Sequence, residues 1–305
     1  MNKNKILWIG ITSILCILLL IGVIGFEKYD NMKNPHQAFE KDLKQEEEVD
    51  STEESTASGK NVINLLLLGV DSTEVREARE MGYRSDSIMV VSMNLDTKKV
   101  KLISIPRDSY TEVPGNDNKD KINHAMAFGG GPRKNGNQYA VEAVEGLLGI
   151  NIHYYVTMDL DAVKDIVDTI GGVTVDVERS MGSGERRLQK GEQNLNGQQA
   201  LIYLSNRTAP TGDFARIQQQ QKFMMALFRQ TKEKGKFSDI IPLYLKMQNK
   251  VFTDLRIDQM GALVLFLKDI NPEDIEIYTL KGRDMMIDDI YYLDIDREHM
   301  KEILN

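Results

Sequence analysis

From Val62 to Val70 every position except Asn64 and Gly69 is apolar. An unbroken run of that kind predicts a strand buried on both faces, as at the centre of an α/β sheet. Ser87 to Asn94 and Lys99 to Ile105 read as two further strands joined by the short link Leu95-Asp96-Thr97-Lys98, a hairpin pattern. Helical spacing then takes over. Val141, Val144 and Leu148 mark a helix over Asn137–Leu148, and Leu160, Val163, Val167 and Ile170 share one face of another, stopped by Gly171-Gly172. A short strand follows at Val173–Val177. Asn196 and Gln199 form a capping-box signature for a helix to Asn206, and the longest soluble helix is expected from Asp213 to about Lys232. Helices at Ser238–Asn249 and Asp258–Lys268, a strand at Asp274–Leu280 and a terminal helix from Asp296 complete the pattern. Alternating strands and helices without an internal repeat predict a single α/β domain, with helices on both faces of a central mixed sheet, over residues 61–305.

Two segments precede that domain. Ile6 to Phe26 is 21 residues long and carries no charged side chain. As a helix it is roughly 30 Å long, the thickness of a bilayer's hydrocarbon core. Lys3 and Lys5 precede it and no positive excess follows, which predicts a cytoplasmic tail at 1–5, a transmembrane anchor at 6–26 and everything beyond on the outer side. The run ends in Gly22-Val23-Ile24-Gly25-Phe26, a poor cleavage site, and Cys16 lies mid-span after Leu15, where a lipid-modified cysteine is not expected. Residues 27–60 are rich in Glu, Lys and Ser and poor in aromatics. Such a segment buries too little apolar surface to offset its ordering entropy and reads as a flexible acidic tether.

Charge and cysteine usage narrow the function. The net charge of −8 divides into +2 for residues 1–26, −5 for the tether and −5 for the rest. No basic stripe suggests nucleic acid, which is excluded as a direct partner. Cys16 is the sole cysteine, so the exported part has neither a disulfide nor a cysteine-ligated metal.

The charged residues that remain gather at strand ends. Asp71 follows the first strand, Arg84 and Asp86 precede the second, and Arg107 and Asp108 follow the third. If strands two and three form a hairpin, Asp86 and Arg107 are neighbours; if strand one runs parallel to strand three, Asp71 joins them. Arg207 ends one helix, and Asp213, Arg216 and Gln220 share a face of the next, beside the apolar stripe of Phe214, Ile217, Met224 and Phe228. Guanidinium groups grip phosphate oxygens bidentately, and paired carboxylates suit Mg²⁺. The same residues also fit ordinary surface ion pairs, with Asp213 as a helix cap. His124 fits a hydrogen-bonded structural role better than that of a base, and Met224-Met225 and Met285-Met286 read as core filler.

Seven segments in order carry a more specific signal: Asn64-Leu65-Leu66-Leu67-Leu68-Gly69-Val70-Asp71, Arg84-Ser85-Asp86-Ser87, Ile105-Pro106-Arg107-Asp108, Lys121-Ile122-Asn123-His124-Ala125, Ile170-Gly171-Gly172-Val173, Leu195-Asn196-Gly197-Gln198-Gln199-Ala200-Leu201 and Gly212-Asp213-Phe214-Ala215-Arg216. The sequence resembles the LytR-CpsA-Psr family of Gram-positive cell-wall proteins from about Asn64 to Phe228. The resemblance implies a membrane-bound enzyme that moves a glycopolymer phosphate, teichoic acid or capsular polysaccharide, from an undecaprenyl-pyrophosphate carrier to peptidoglycan. It implies Mg²⁺ on Asp71 and Asp86, and a pyrophosphate held by Arg84, Arg107, Arg207, Asp213, Arg216 and Gln220. It also implies an apolar pocket for the lipid, and Asp71 or Asp108 as the group that takes the acceptor proton. Two positions depart from the family pattern: Ser205 stands where an arginine is usual, and Gln219 where a second one is frequent. They keep open the alternative of a non-catalytic polyprenyl-pyrophosphate-binding protein.

Overall fold

The computed structural model describes residues 33–50, 61–70, 83–184, 187–206 and 213–305. The 6–26 segment lies outside them, and no helix among the described residues is long and apolar enough to cross a membrane.

The strands are β1 (Val62–Val70), β2 (Ser85–Asn94), β3 (Val100–Ser104), β4 (Tyr110–Thr111), β5 (Asp120–Lys121), β6 (Tyr154–Asp159), β7 (Val173–Val177), β8 (Gly191–Leu195), β9 (Val251–Thr253), β10 (Ile275–Thr279), β11 (Gly282–Ile287) and β12 (Ile290–Ile295). The helices are α1 (Pro35–Asp50), α2 (Ala125–Phe128), α3 (Gly136–Leu148), α4 (Leu160–Thr169), α5 (Gly197–Ser205), α6 (Asp213–Glu233), α7 (Ile240–Lys246), α8 (Ile257–Asp269) and α9 (Arg297–Leu304).

Six strands form the central sheet in the order β10-β3-β2-β1-β6-β9. β1 pairs antiparallel with β2 and parallel with β6, while β2 pairs antiparallel with β3, so the sheet is mixed as expected. Period-two alternation sends the β1 side chains into two cores. Leu66, Leu68 and Val70 join the layer containing α3 and α9, and Ile63 and Leu65 join the layer containing α1 and α8. The sheet is therefore covered on both faces. A third core, built on Val173, Val175, Leu195, Tyr203 and Phe223, ties the β7–β8 pair to α4, α5 and α6.

Several expected features take a different form. Residues 27–60 are not a free tether throughout: α1 runs from Pro35 to Asp50, with Ala38 and Phe39 buried at 3% and 0% exposure. With the partly buried Leu43 they pack it onto the domain, and the Tyr154 hydroxyl donates to Asp42 Oδ2 at 2.5 Å. The helix expected over Ser238–Asn249 is a 3₁₀ turn at Lys236–Asp239 followed by α7. Pro242 sets that start, because its missing N–H is tolerated only in a first turn. Met286 is 62% exposed rather than core filler, since it lies on the β11–β12 hairpin.

Candidate functional site

The antiparallel β2–β3 hairpin and the β1–β2 pairing bring the end of β1, the start of β2 and the segment after β3 to one edge of the sheet. Val70 stands opposite Ser85, and a register shift between Gly69 and Val70 bends β1 there. A Cβ at Gly69 would sit 3.1 Å from Ser87 Cβ, so glycine permits the close strand approach.

On this edge Arg107 joins three carboxylates. Its Nη1 donates to Asp86 Oδ1 at 2.8 Å, and its Nε lies 3.3 Å from Asp213 Oδ1 and 3.5 Å from Asp108 Oδ2. Arg216, one helical turn beyond Asp213 and only 4% exposed, reaches the same Asp213 oxygen. Lys121 completes the group, its Nζ 2.7 Å from Asp108 Oδ1. Burial alone would lower the Arg107 pKa; the hydrogen bond to Asp86 and the charges of Asp213, Asp86 and Asp108 outweigh it and raise the value. Burial pushes the Asp213 carboxyl up, against the opposing charges of Arg216 and Arg107. Asp213 Oδ2 is buried and accepts no hydrogen bond. An orphaned carboxylate oxygen of this kind suits a bound cation or an incoming donor.

Beside the ionic cluster lies an apolar cavity of about 190 Å³ between the sheet and α4, α5 and α6. Leu68, Met158, Val163, Leu204, Phe223 and Leu227 are among its walls. Asp86 and Arg216 belong to both cluster and cavity, and Gln220 and Ser205 also line it. The arrangement presents charged side chains of both signs at one end and hydrocarbon along the rest, a pattern that suits an amphiphile.

Of the residues singled out in the sequence, Asp86, Arg107, Asp108, Asp213 and Arg216 are drawn together by direct contacts. Gln220 faces the cavity with Arg216. Arg84 is exposed at the entrance to β2, one residue from the Ser85–Val70 pair. Asp71 and Arg207 lie outside the described residues. His124 Nδ1 is 2.8 Å from Asp120 Oδ2, so the ring is hydrogen-bonded as expected. Gln219 is buried, with its Oε1 lacking a hydrogen-bond partner, and the Ser205 hydroxyl donates back to the Leu201 carbonyl at 2.6 Å. Sequence reasoning missed Lys121, which the Tyr110–Lys121 pairing of β4 and β5 carries to Asp108. It also missed Tyr291, which β12 places near the cluster.

Residues 24–305 match the LytR_cpsA_psr family. The chain belongs to the LytR-CpsA-Psr family. Among its relatives, the polyisoprenyl-teichoic acid–peptidoglycan teichoic acid transferase TagU of Bacillus mycoides is 34% identical over 281 residues, covering 91% of this chain and 88% of that protein. TagU of Bacillus subtilis is 29% identical over 309 residues, covering 99% and 95%. The crystal structure of B. subtilis TagV, 29% identical, superposes with a TM-score of 0.67 over 81% of this chain and 95% of that one. A structure of TagT bound to LI-WTA, 28% identical, gives 0.64 over 83% and 91%. The family fold of the LytR-CpsA-Psr proteins is thus the mixed-sheet fold described above.

Proposed function

We propose that this LytR-CpsA-Psr protein transfers a glycopolymer phosphate from an undecaprenyl-pyrophosphate-linked donor to peptidoglycan. The observation that carries the reading is the junction of the Asp86–Arg107–Asp213–Arg216 cluster with the apolar cavity. One feature fits a pyrophosphate and the other the polyprenyl chain attached to it. Relatives named as teichoic acid transferases support the reaction class, and TagT bound to LI-WTA supports a lipid-linked donor.

In the transfer an acceptor hydroxyl oxygen attacks the glycan-bearing phosphorus. The new P–O bond replaces the P–O–P bridge, polyprenyl phosphate departs, and the hydroxyl proton goes to a base, Asp71 or Asp108. Phosphoryl transfer depends chiefly on positioning and charge neutralisation. Arg107 and Arg216 supply both from the described residues, with Arg84 and Arg207 as further phosphate contacts and Gln220 as a neutral one. Mg²⁺ fits the donor set, because Asp86 and the orphaned Asp213 oxygen are hard oxygen ligands beside the phosphate grip, and Asp71 is the next residue of the sequence after β1. Bound there, it would neutralise phosphate oxygens. We further propose the 6–26 anchor, with the domain on the outer face of the cell membrane.

A specific observation favours a second reading. Ser205 lines the cavity and spends its hydroxyl on its own helix, contributing no cation where the family resemblance calls for one. That would suit a protein that holds the lipid pyrophosphate without turning it over. Mass spectrometry of wild-type protein with a lipid-linked donor and a peptidoglycan fragment separates the two. The transferase reading expects the linked product and its loss in chelator. Donor retained intact on the protein supports the binder.

A further inference from the structure

The β11–β12 hairpin stands beside the ionic cluster and carries none of the residues proposed to grip the pyrophosphate. Its base is fixed to the segment that carries the cluster: the Leu293 N–H donates to the Asp108 carbonyl at 2.9 Å, and Ser109 bridges to Leu293. Further out, Met286 pairs directly with Tyr291, and directly opposed residues of antiparallel strands share a face. Asp284, two positions before Met286, lies on that face too, and accepts the Tyr291 hydroxyl at 2.9 Å. Tyr291 is 38% exposed and Met286 62%. Lys121 links this surface to the cluster, with its Nζ 2.7 Å from Asp108 and 6.0 Å from the centre of the Tyr291 ring. Burial, then Asp284, and then the charges of Asp108 and Asp213 push the Tyr291 hydroxyl up to about 12, so it stays a neutral donor in the working pH range.

We propose that Tyr291, with Met286 and Asp284, is the platform on which the acceptor glycan of peptidoglycan lies during transfer. An exposed ring stacks on the apolar face of a pyranose, and a neighbouring carboxylate accepts its hydroxyl or amide hydrogens. Arg283, the nearby cation on β11, lies on the opposite face by strand alternation, and the Lys121 ammonium beside the ring is paired with Asp108 at 2.7 Å, so the surface offers ring and carboxylate rather than a phosphate grip. A neutral, hydroxyl-rich ligand fits it, and a phosphate does not. The platform puts that ligand next to Asp108, one of the two candidate bases for the acceptor hydroxyl.

This inference rests on the proposed transferase reading, and its test uses two readouts. In full-length protein in detergent, Tyr291→Ala is expected to raise the acceptor KM about tenfold, the loss of one aromatic stacking contact of about 1.4 kcal/mol. Donor Kd should stay unchanged, and Tyr291→Trp should restore the acceptor KM. A donor Kd that rises in Tyr291→Ala, or an acceptor KM that does not, overturns the assignment. Saturation-transfer NMR with a peptidoglycan disaccharide reads the platform without turnover. Signal on the sugar ring protons in wild type, and its loss in Tyr291→Ala, supports the platform even if no transfer is found. No signal in wild type overturns it.

Discussion

Arg107 is the point on which Asp86, Asp213 and Asp108 converge, so removing its side chain leaves three carboxylates facing the same space without their common cation. Arg107→Ala should weaken donor binding by about ten- to a hundredfold, the equivalent of one charge-assisted contact of about 1.5–3 kcal/mol. Isothermal titration with a polyprenyl pyrophosphate checks this, and unchanged affinity would place the phosphate elsewhere. Asp213→Ala acts on stability as well as on the site. It takes an ion-pair partner from the buried Arg216 guanidinium and should cost about 3 kcal/mol in urea unfolding. Ser205→Arg should tighten the donor by about tenfold, since it adds a guanidinium fork to the cavity lining. Residues at this scale were legible where charge and strand ends coincide, as for Asp86, Arg107 and Asp108. Lys121 and Tyr291 were not, because each arrives through pairings of short strands far apart in sequence.

Among the elements, α4 shows how burial and capping combine. Asp159 caps it, accepting the Ala162 N–H at 2.7 Å, while burial raises its pKa from the usual carboxylate value. Between the unfolded and folded pKa the native state holds more protons than the unfolded one, so this group's contribution to stability falls as pH rises through that window. Asp159→Asn keeps the cap and removes the titration, so wild type should lose stability relative to it as pH climbs above about 4. Asp159→Ala should be less stable than Asn by about 1 kcal/mol at neutral pH, the value of a cap. Denaturant melts across pH give both comparisons. Strands with continuous apolar character, β1 above all, were legible because nothing else accounts for seven apolar positions among nine. The β11–β12 hairpin was hidden: it turns on Asp288 and Asp289, both at positive φ, rather than on the glycine-bearing pair such a turn usually advertises. Nor was α1 visible, since its acidic composition outweighs the two buried side chains that hold it. Phe39→Ala should therefore cost about 3–5 kcal/mol, and an unchanged unfolding midpoint would mean that α1 is not docked.

The whole molecule places an apolar cavity of about 190 Å³ and the ionic cluster at one end of a sheet covered on both faces. The proposed anchor at 6–26 would hold that site within reach of a membrane-borne donor, and a reporter fused after Asn305 should be active only on the outer side. Activity of a cytoplasmic reporter at that position would reverse the orientation and remove the donor from reach. The central claim is that one site both grips the lipid pyrophosphate and transfers its glycan phosphate. Its most direct measurement is the rate of polyprenyl phosphate release, with acceptor present, by wild type and Arg107→Ala in the same assay. Steady release by wild type and loss of nearly all of it in Arg107→Ala are the expected results. Equal rates in the two proteins, or no release by wild type under conditions in which it binds donor, would contradict the claim.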